Sequence, residues 1–293
     1  MPSPPLPAFE STLPEHVPPI PWRLGALAVQ KYREMSQGRS FTQLLRDRIF
    51  KTGFYDTPKY WDMKAQVYDG LARSCWPSNV FNRHWDARQM EIVDRTLGDV
   101  RGLEIVDIAC GTGRASRHLA RRGAKVTGLD FSPLAIEAAK RESEGEGIDY
   151  RQYDILGKPD DELLGRFDVA LVIGCLTVAC TDDRDFERGL AHIAGLLRKG
   201  GRLLFIEPIH ESRLLRRILR MNEGEWVSRC ETQGLKLVLA HGMGLLPVRV
   251  AFAFRDMPEG IVGPLFWKGE KLLDLAPWLK SLADYRVLLF QKA

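Results

Sequence analysis

A short apolar run that ends in a glycine-rich turn constrains the fold of this chain more than any other feature. Residues 103–108 are predicted to form a buried strand, the turn Asp107-Ile108-Ala109-Cys110-Gly111-Thr112-Gly113 follows, and a helix is predicted over 114–122. Apolar runs and helical patterns then keep alternating, with further strands predicted over 125–129, 148–153, 169–173 and 202–206. Such alternation is typical of βαβ units, in which helices cover both faces of a parallel sheet. Because these crossovers are right-handed, the pattern predicts a doubly wound α/β sheet.

Composition excludes several classes of protein. The 293 residues are 45% apolar and 27% charged, as in an ordinary globular protein. No apolar run has the length of a membrane span, and the opening Met1-Pro2-Ser3-Pro4-Pro5 lacks the pattern of a secretory signal, so we expect a cytoplasmic protein. The net charge of +4 is too small to indicate a nucleic-acid partner. Five scattered cysteines without metal-ligand spacing predict neither a metal site nor disulfides.

The pattern divides the chain into four parts. Residues 1–55 are predicted to be a proline-rich arm and a helix, and residues 56–100 a helical cover over the active site. Residues 101–209 carry the alternating core, and residues 210–293 complete the fold. Within this last part, 246–278 is too long and too rich in Pro, Phe and Trp for a plain loop, which predicts a cap over a substrate.

Three interpretations of the glycine-rich turn compete. It is a structural turn in which Asp107 caps a helix, or a dinucleotide site, or a site for S-adenosylmethionine. The dinucleotide fingerprint needs a third glycine three residues after Gly113, and Ser116 stands there. S-adenosylmethionine instead needs an acid at the turn, an acid after the second strand and a polar group after the third. Asp107, Asp130 and Asp154 meet that need, each at the strand edge where open α/β sheets bind ligands, so the third interpretation is favoured.

The motifs that follow in order resemble those of class I S-adenosylmethionine methyltransferases. They are Asp107-Ile-Ala-Cys-Gly-Thr-Gly113, Gly128-Leu-Asp130-Phe-Ser-Pro133, Tyr153-Asp154-Ile155, Phe167-Asp168-Val169 and Leu197-Arg-Lys-Gly-Gly-Arg-Leu-Leu204. The resemblance covers residues 100–208. It implies a Rossmann-like seven-stranded sheet whose last strand, 285–290, runs antiparallel beside the fifth, with an N-terminal helical cover and a C-terminal cap.

The resemblance also implies roles for individual residues. The turn with Ala109, Gly111 and Gly113 holds the methionine part of the cofactor, Ala109 replacing the usual glycine. Asp130, followed by Phe131 and Ser132, holds the ribose. Asp154 faces the adenine amino group and Ile155 offers its backbone N–H, while Ile173, Gly174 and Cys175 line the site of methyl transfer.

A second resemblance is to protein alpha-N-terminal methyltransferases. It rests on Tyr60-Trp61, Asp69-Gly70, Gly113-Arg114 and Val172-Ile173-Gly174-x-Leu176-Thr177. It implies that Tyr60 and Trp61 close over the site and that Arg114 holds the cofactor carboxylate, which a guanidinium can bind bidentately. The chain departs from that family where the acceptor binds, with Cys175 in place of a histidine and Glu207-Pro208 in place of an Asp-Asn pair.

Few residues are candidates for acid–base chemistry on the acceptor. His210 and Glu207 follow the fifth strand, and His84 lies in the helical cover. Arg213, Arg216, Arg217 and Arg220 share a helical face that either guides an anionic substrate or contacts a membrane surface, or is simply solvated. The sequence predicts methylation of a small hydrophobic or amphiphilic molecule. The alternatives are methylation of a peptide N-terminal amine and cofactor binding without catalysis.

Overall fold

The computed structural model describes residues 61–62, 71, 75–76, 78–211 and 221–293, all of which belong to one compact unit, Lys51–Ala293. The predicted arm and first helix, the proposed lid residue Tyr60 and the basic face from Arg213 to Arg220 lie outside the described residues. No helix of the described part is both long and apolar enough to cross a membrane.

The described part alternates strands with helices. In chain order its elements are α1 (Asn79–Leu97), β1 (Glu104–Ile108), α2 (Arg114–Arg121), β2 (Lys125–Asp130), α3 (Pro133–Glu142), β3 (Asp149–Gln152), β4 (Phe167–Ile173), α4 (Leu176–Ala179), α5 (Asp183–Leu196), β5 (Leu197–Glu207), α6 (Glu223–Thr232), β6 (Leu235–Leu245), α7 (Leu246–Phe252), α8 (Glu259–Leu275), a 3-10 helix (Pro277–Leu282) and β7 (Ala283–Lys292).

Seven strands form one sheet in the order β3-β2-β1-β4-β5-β7-β6. The five strands from β3 to β5 pair in parallel, and β7 runs antiparallel between β5 and β6. This confirms the predicted doubly wound, seven-stranded sheet with its last strand antiparallel. The strand order reverses direction between β1 and β4, so the carboxyl ends of these strands open onto a crevice.

Both faces of the sheet are buried, because successive side chains of a strand point to opposite sides. Along β4, Val169 and Leu171 pack into the cluster that contains α1 and α8, whereas Ala170 and Val172 pack into the cluster that contains α5. A strand covered on both faces reads as a continuous apolar run, as β4 does in the sequence.

The cover helix α1 is fixed at both its start and its middle. Ser78 caps it by accepting a hydrogen bond from the Phe81 amide at 3.2 Å. At mid-helix, the buried Arg88 donates to Glu270 at 3.0 Å and to Asp274 at 2.6 Å, both on α8. These charge-assisted hydrogen bonds hold α1 against α8 on one face of the sheet.

The segment predicted to be a cap does fold, as α7, α8 and the 3-10 helix. α8 packs on α1 and β6, and its buried face enters the same core cluster as Trp85 and Phe81. None of the described residues that line the cavity at the carboxyl ends of β1, β2 and β4 comes from 221–293. A role for this segment as a wall for substrate therefore stays a prediction.

Candidate active site

A cavity opens where β1, β2 and β4 end at their carboxyl edges. Its volume is about 1070 Å³ including the open mouth, close to the upper end of the range for sites of small molecules and cofactors. Its lining combines carboxylates, backbone and apolar side chains: Trp61, Asp107, Ile108, Ala109, Cys110, Gly111, Thr112, Arg114, Ala115, Leu129, Asp130, Phe131, Ala135, Tyr153, Asp154, Ile155, Ile173, Gly174, Cys175, Val178 and Ala179.

The glycine-rich turn takes the left-handed backbone conformation three times, at Ala109 (φ 56°), Gly111 (φ 56°) and Gly113 (φ 79°). Glycine adopts it without steric cost, whereas alanine pays about 1–2 kcal/mol. Ala109 is the one non-glycine residue with positive φ in the described part of the chain. The turn thus accepts the predicted replacement of glycine by alanine, at the expense of backbone strain.

Gly113 is required for a second reason. A Cβ atom at this position would lie 2.1 Å from the hydroxyl oxygen of Tyr150. The Tyr150 hydroxyl in turn lies 3.0 Å from the Ser143 hydroxyl and 3.4 Å from the Gly113 carbonyl. The close packing of the turn on β3 thus excludes every side chain at Gly113.

Asp107 is the last residue but one of β1, and its carboxylate is buried. It accepts a hydrogen bond from the Ser116 hydroxyl at 2.6 Å. Burial raises the pKa of Asp107 to about 6. Ser116 therefore replaces the third glycine of a dinucleotide site with a hydroxyl that anchors this acid.

Asp130 ends β2 and fixes the turn from the other side. Its two oxygens accept hydrogen bonds from the Gly111 amide at 2.8 Å and the Ser132 amide at 2.9 Å. Burial raises the pKa of Asp130 to about 6. Each carboxylate oxygen keeps a second lone pair, so the group can still accept hydrogen bonds from a ligand.

The two residues that follow Asp130 differ in their position relative to the cavity. Phe131 lines the cavity, whereas Ser132 does not. The Ser132 hydroxyl accepts from the Ala135 amide at 3.1 Å, which caps α3, and it donates to Asp62. Ser132 thus helps to start α3, and its contact with the cofactor stays a prediction.

Arg114 lines the cavity, but its guanidinium already has partners on α1. It donates to the carboxylate of Asp86 and to the side-chain oxygen of Gln89. Sequence reasoning missed both residues, although their spacing of three places them on one face of a predicted helix. These contacts hold the guanidinium against α1 at the edge of the cavity, and its role in binding a cofactor carboxylate stays a prediction.

The ends of β3 and β4 complete the lining. Asp154 accepts from the Leu156 amide at 2.9 Å. Ile155 is held through its carbonyl, which lies 2.9 Å from His192 Nδ1, and the other ring nitrogen of His192 lies 2.6 Å from the Tyr153 hydroxyl. At the β4 end, Gly174 has φ 63°, which turns the chain away from the sheet.

Glu207 is fully buried and does not line the cavity. Its oxygens accept hydrogen bonds from the amides of Cys175 at 2.7 Å and Leu176 at 3.0 Å and from the Thr177 hydroxyl at 2.7 Å. Burial raises the pKa of Glu207 to about 7. This carboxylate therefore holds the loop after β4, and its acid–base role stays a prediction.

The two predicted catalytic histidines also lie away from the cavity lining. His210 is buried, with Nε2 at 3.5 Å from Asp284, which also accepts two hydrogen bonds from Arg249. His84 faces α8, where it lies 2.5 Å from Glu259 and accepts from the Trp267 indole at 3.2 Å. Long-range packing that the sequence does not reveal thus removes both histidines from the lining.

Titratable groups in the described lining are carboxylates, one guanidinium, a tyrosine and two cysteines. Burial raises the pKa of both thiols, Cys110 and Cys175, well above the usual range, so neither is a thiolate at neutral pH. The described residues contain no group of three His, Cys, Asp or Glu side chains able to hold a metal ion. The site therefore presents fixed hydrogen-bond acceptors and apolar walls.

This sheet order, with a glycine-rich turn after β1, matches the Rossmann-like methyltransferase fold. Residues 105–201 match the sequence profile of a methyltransferase domain. The demethylmenaquinone methyltransferase of Tropheryma whipplei (strain Twist) is 31% identical over 165 residues, which are 56% of this chain and 63% of that protein. The chain thus matches less than two thirds of that relative's length.

Solved structures share the fold at low sequence identity. N-methyltransferase NodS from Bradyrhizobium japonicum WM9, in complex with S-adenosyl-L-homocysteine, is 18% identical, with a TM-score of 0.55 over 81% of this chain and 98% of that one. The [4+2]-cyclase SpnF is also 18% identical, with a TM-score of 0.52 over 74% of this chain and 85% of that one. At this identity the likeness establishes the fold alone.

Proposed function

We propose that the chain is an S-adenosylmethionine-dependent methyltransferase that modifies a small hydrophobic or amphiphilic molecule. The observation that carries the proposal is the convergence of Asp107, Asp130 and Asp154 on one cavity. These carboxylates match the ammonium, the ribose hydroxyls and the adenine amino group of the cofactor. The name of the similar demethylmenaquinone methyltransferase supports an apolar small molecule as the acceptor class.

The donors and acceptors of the cavity fit this cofactor. Asp107 lies beneath the turn and accepts from a cation or hydroxyl, and Arg114 is held ready for a carboxylate. Asp130 keeps free lone pairs for a diol, and Phe131 with Ile155 offers apolar surface for a flat ring. The Ser116 hydroxyl donates a hydrogen bond to Asp107 below the turn, and binding of a pyrophosphate would not require this contact.

The reaction needs little acid–base chemistry from the chain. The sulfonium of the cofactor, when bound, supplies an already activated methyl group. The residues of the chain instead position the reactants. Glu207 fixes the loop that contains Gly174 and Cys175, and this loop orients the acceptor. Apolar side chains of the lining, such as Ile173 and Val178, exclude water from the acceptor site.

Calorimetry with S-adenosylhomocysteine tests cofactor binding. We expect micromolar affinity for the unmodified chain and a loss of about tenfold or more for Asp130→Asn, which removes a charged acceptor of two ribose hydroxyls. Asp149→Asn is the matched control, because Asp149 is an exposed residue at the amino end of β3 and pairs with Arg151. No binding by the unmodified chain, or equal affinities of the two variants, contradicts the proposal.

Mass spectrometry of methyl transfer from isotope-labelled S-adenosylmethionine tests the acceptor class. We expect labelled product with small apolar aromatic or amphiphilic acceptors, and none with peptides that carry a free amino terminus. Label on the peptide amine instead assigns the protein to the other class of acceptor.

A second candidate is cofactor binding without methyl transfer. The observation in its favour is that His84, Glu207 and His210 all lie outside the cavity lining. Micromolar binding of S-adenosylhomocysteine together with no transfer to any acceptor class in a cell extract is the result that selects this candidate.

A further inference from the structure

The outer face of α8 carries a row of exposed apolar side chains. Ile261, Leu265, Leu272 and Leu275 are 44%, 43%, 45% and 70% exposed. With Lys268 between them, they follow one another at intervals of four, three, four and three residues, which places all five on one side of a helix. We refer to these five residues as the α8 row.

The α8 row does not pack into the core, because the opposite side of α8 does so. Val262, Phe266 and Leu273 are buried, and the first two belong to the cluster shared with α1. The apolar surface also continues past the helix end, since Trp278 in the 3-10 helix is 76% exposed. Exposed apolar side chains grouped on one side of a helix, unlike scattered ones, are typical of an interaction site.

The two charged side chains of α8 on the side of the α8 row are both positive. Lys268 lies within the row and Lys271 beside it, and both are exposed. The acidic side chains of α8 point elsewhere: Glu259 pairs with Arg83, and Glu270 and Asp274 pair with Arg88. Since every residue of α8 is described, its outer side presents only apolar and cationic groups between Gly260 and Leu275.

A second copy of the chain is a poor occupant for this surface. Lys268 lies midway between Ile261 and Leu275. If two copies paired through the α8 row about a two-fold axis, the two Lys268 side chains would therefore meet, whether the helices ran parallel or antiparallel. Their ammonium groups would then be buried together in an apolar interface. Burial of like charges without counter-ions is strongly unfavourable.

We propose that α8 docks on an anionic lipid surface. The α8 row and Trp278 enter the boundary between headgroups and acyl chains, while Lys268 and Lys271 pair with anionic headgroups. An interfacial helix with apolar, aromatic and lysine side chains binds membranes in this way. This surface is separate from the cavity and does not depend on the proposed methyl transfer, although it brings the enzyme to the phase where lipophilic molecules reside.

Co-sedimentation of the full chain with vesicles tests the proposal. Binding is expected to be tighter with equal parts phosphatidylcholine and phosphatidylglycerol than with phosphatidylcholine alone. The Leu272→Gln/Leu275→Gln variant should bind the mixed vesicles about tenfold more weakly, because less apolar surface leaves water. Lys268→Gln/Lys271→Gln should lose about fivefold per lysine on the mixed vesicles and little on phosphatidylcholine alone.

The control is Leu164→Gln, because Leu164 is 42% exposed on a loop that packs against α5 instead. This variant should bind vesicles like the unmodified chain. Equal thermal stability and S-adenosylhomocysteine affinity in all variants separate a docking effect from misfolding. Absent vesicle binding, or equal binding by the Leu272→Gln/Leu275→Gln variant, overturns the proposal. So does a dimer of the unmodified chain that this variant dissociates in analytical ultracentrifugation, since it assigns the face to a second copy.

Discussion

Replacing Gly113 by alanine tests how the glycine-rich turn is built. The new Cβ would lie 2.1 Å from the hydroxyl oxygen and 2.8 Å from Cζ of Tyr150, whose buried ring has little room to move. The φ of +79° adds strain for any residue with a side chain. Backbone strain contributes about 1–2 kcal/mol and overpacking about 1–3 kcal/mol, so the free energy of unfolding should fall by about 2–5 kcal/mol.

Gly145→Ala separates the two contributions. Gly145 has φ +84°, but a Cβ there meets no atom within 4 Å. It therefore reports backbone strain alone, and urea denaturation should show a loss of only about 1–2 kcal/mol. Gly113→Ala should also weaken S-adenosylhomocysteine binding, whereas Gly145→Ala should not. Equal destabilisation by the two substitutions would refute the steric argument. Adding Tyr150→Phe to Gly113→Ala should restore part of the lost free energy of unfolding, because it removes the atom closest to the new Cβ.

Two further predictions concern buried charges. Arg88→Leu leaves the carboxylate of Glu270 buried without its cation, so urea denaturation should show a loss of about 3–5 kcal/mol. The second prediction is a pH dependence. Asp130 has a folded-state pKa of about 6 against 3.8 for the free group, so the stability that its protonated form contributes is fully present below about pH 4 and lost as the pH rises through 6. The loss reaches about 3 kcal/mol, and Asp130→Asn should flatten the change in melting temperature over this range.

Each of these predictions has its control. Arg101 pairs with Asp99 on the surface, where water screens the charges, so Arg101→Leu should change the free energy of unfolding far less than Arg88→Leu does. Asp149→Asn should leave the pH profile unchanged. A loss for Arg101→Leu as large as that for Arg88→Leu, or a profile of Asp130→Asn that keeps the original slope, contradicts the reasoning.

The sequence predicted those parts of the fold that depend on local pattern. The apolar run of β4 and the turn from Asp107 to Gly113 could be placed because strand period, glycine and proline act within a few residues. The seven-stranded order, with β7 beside β5, came from the family resemblance, because no local signal specifies which strands pair.

What the sequence missed depends on contacts between distant residues. Arg114 could be placed at the turn, but not its partners Asp86 and Gln89, which belong to another helix. Glu207 looked like an acid–base group, and only the folded loop after β4 shows that its oxygens are occupied. Charge and position along a strand indicate a polar site, whereas the direction of a side chain is fixed by packing.

The position of β7 has a consequence for how the chain is made. Residues Ala283–Lys292 pair with β5 on one side and β6 on the other, so the strand nearest the carboxyl terminus is an interior strand. During synthesis β5 and β6 leave the ribosome with their facing edges unpaired, and unpaired edges invite association with other chains. Loss of Ala283–Lys292 would therefore divide the sheet into two parts rather than remove one of its edge strands.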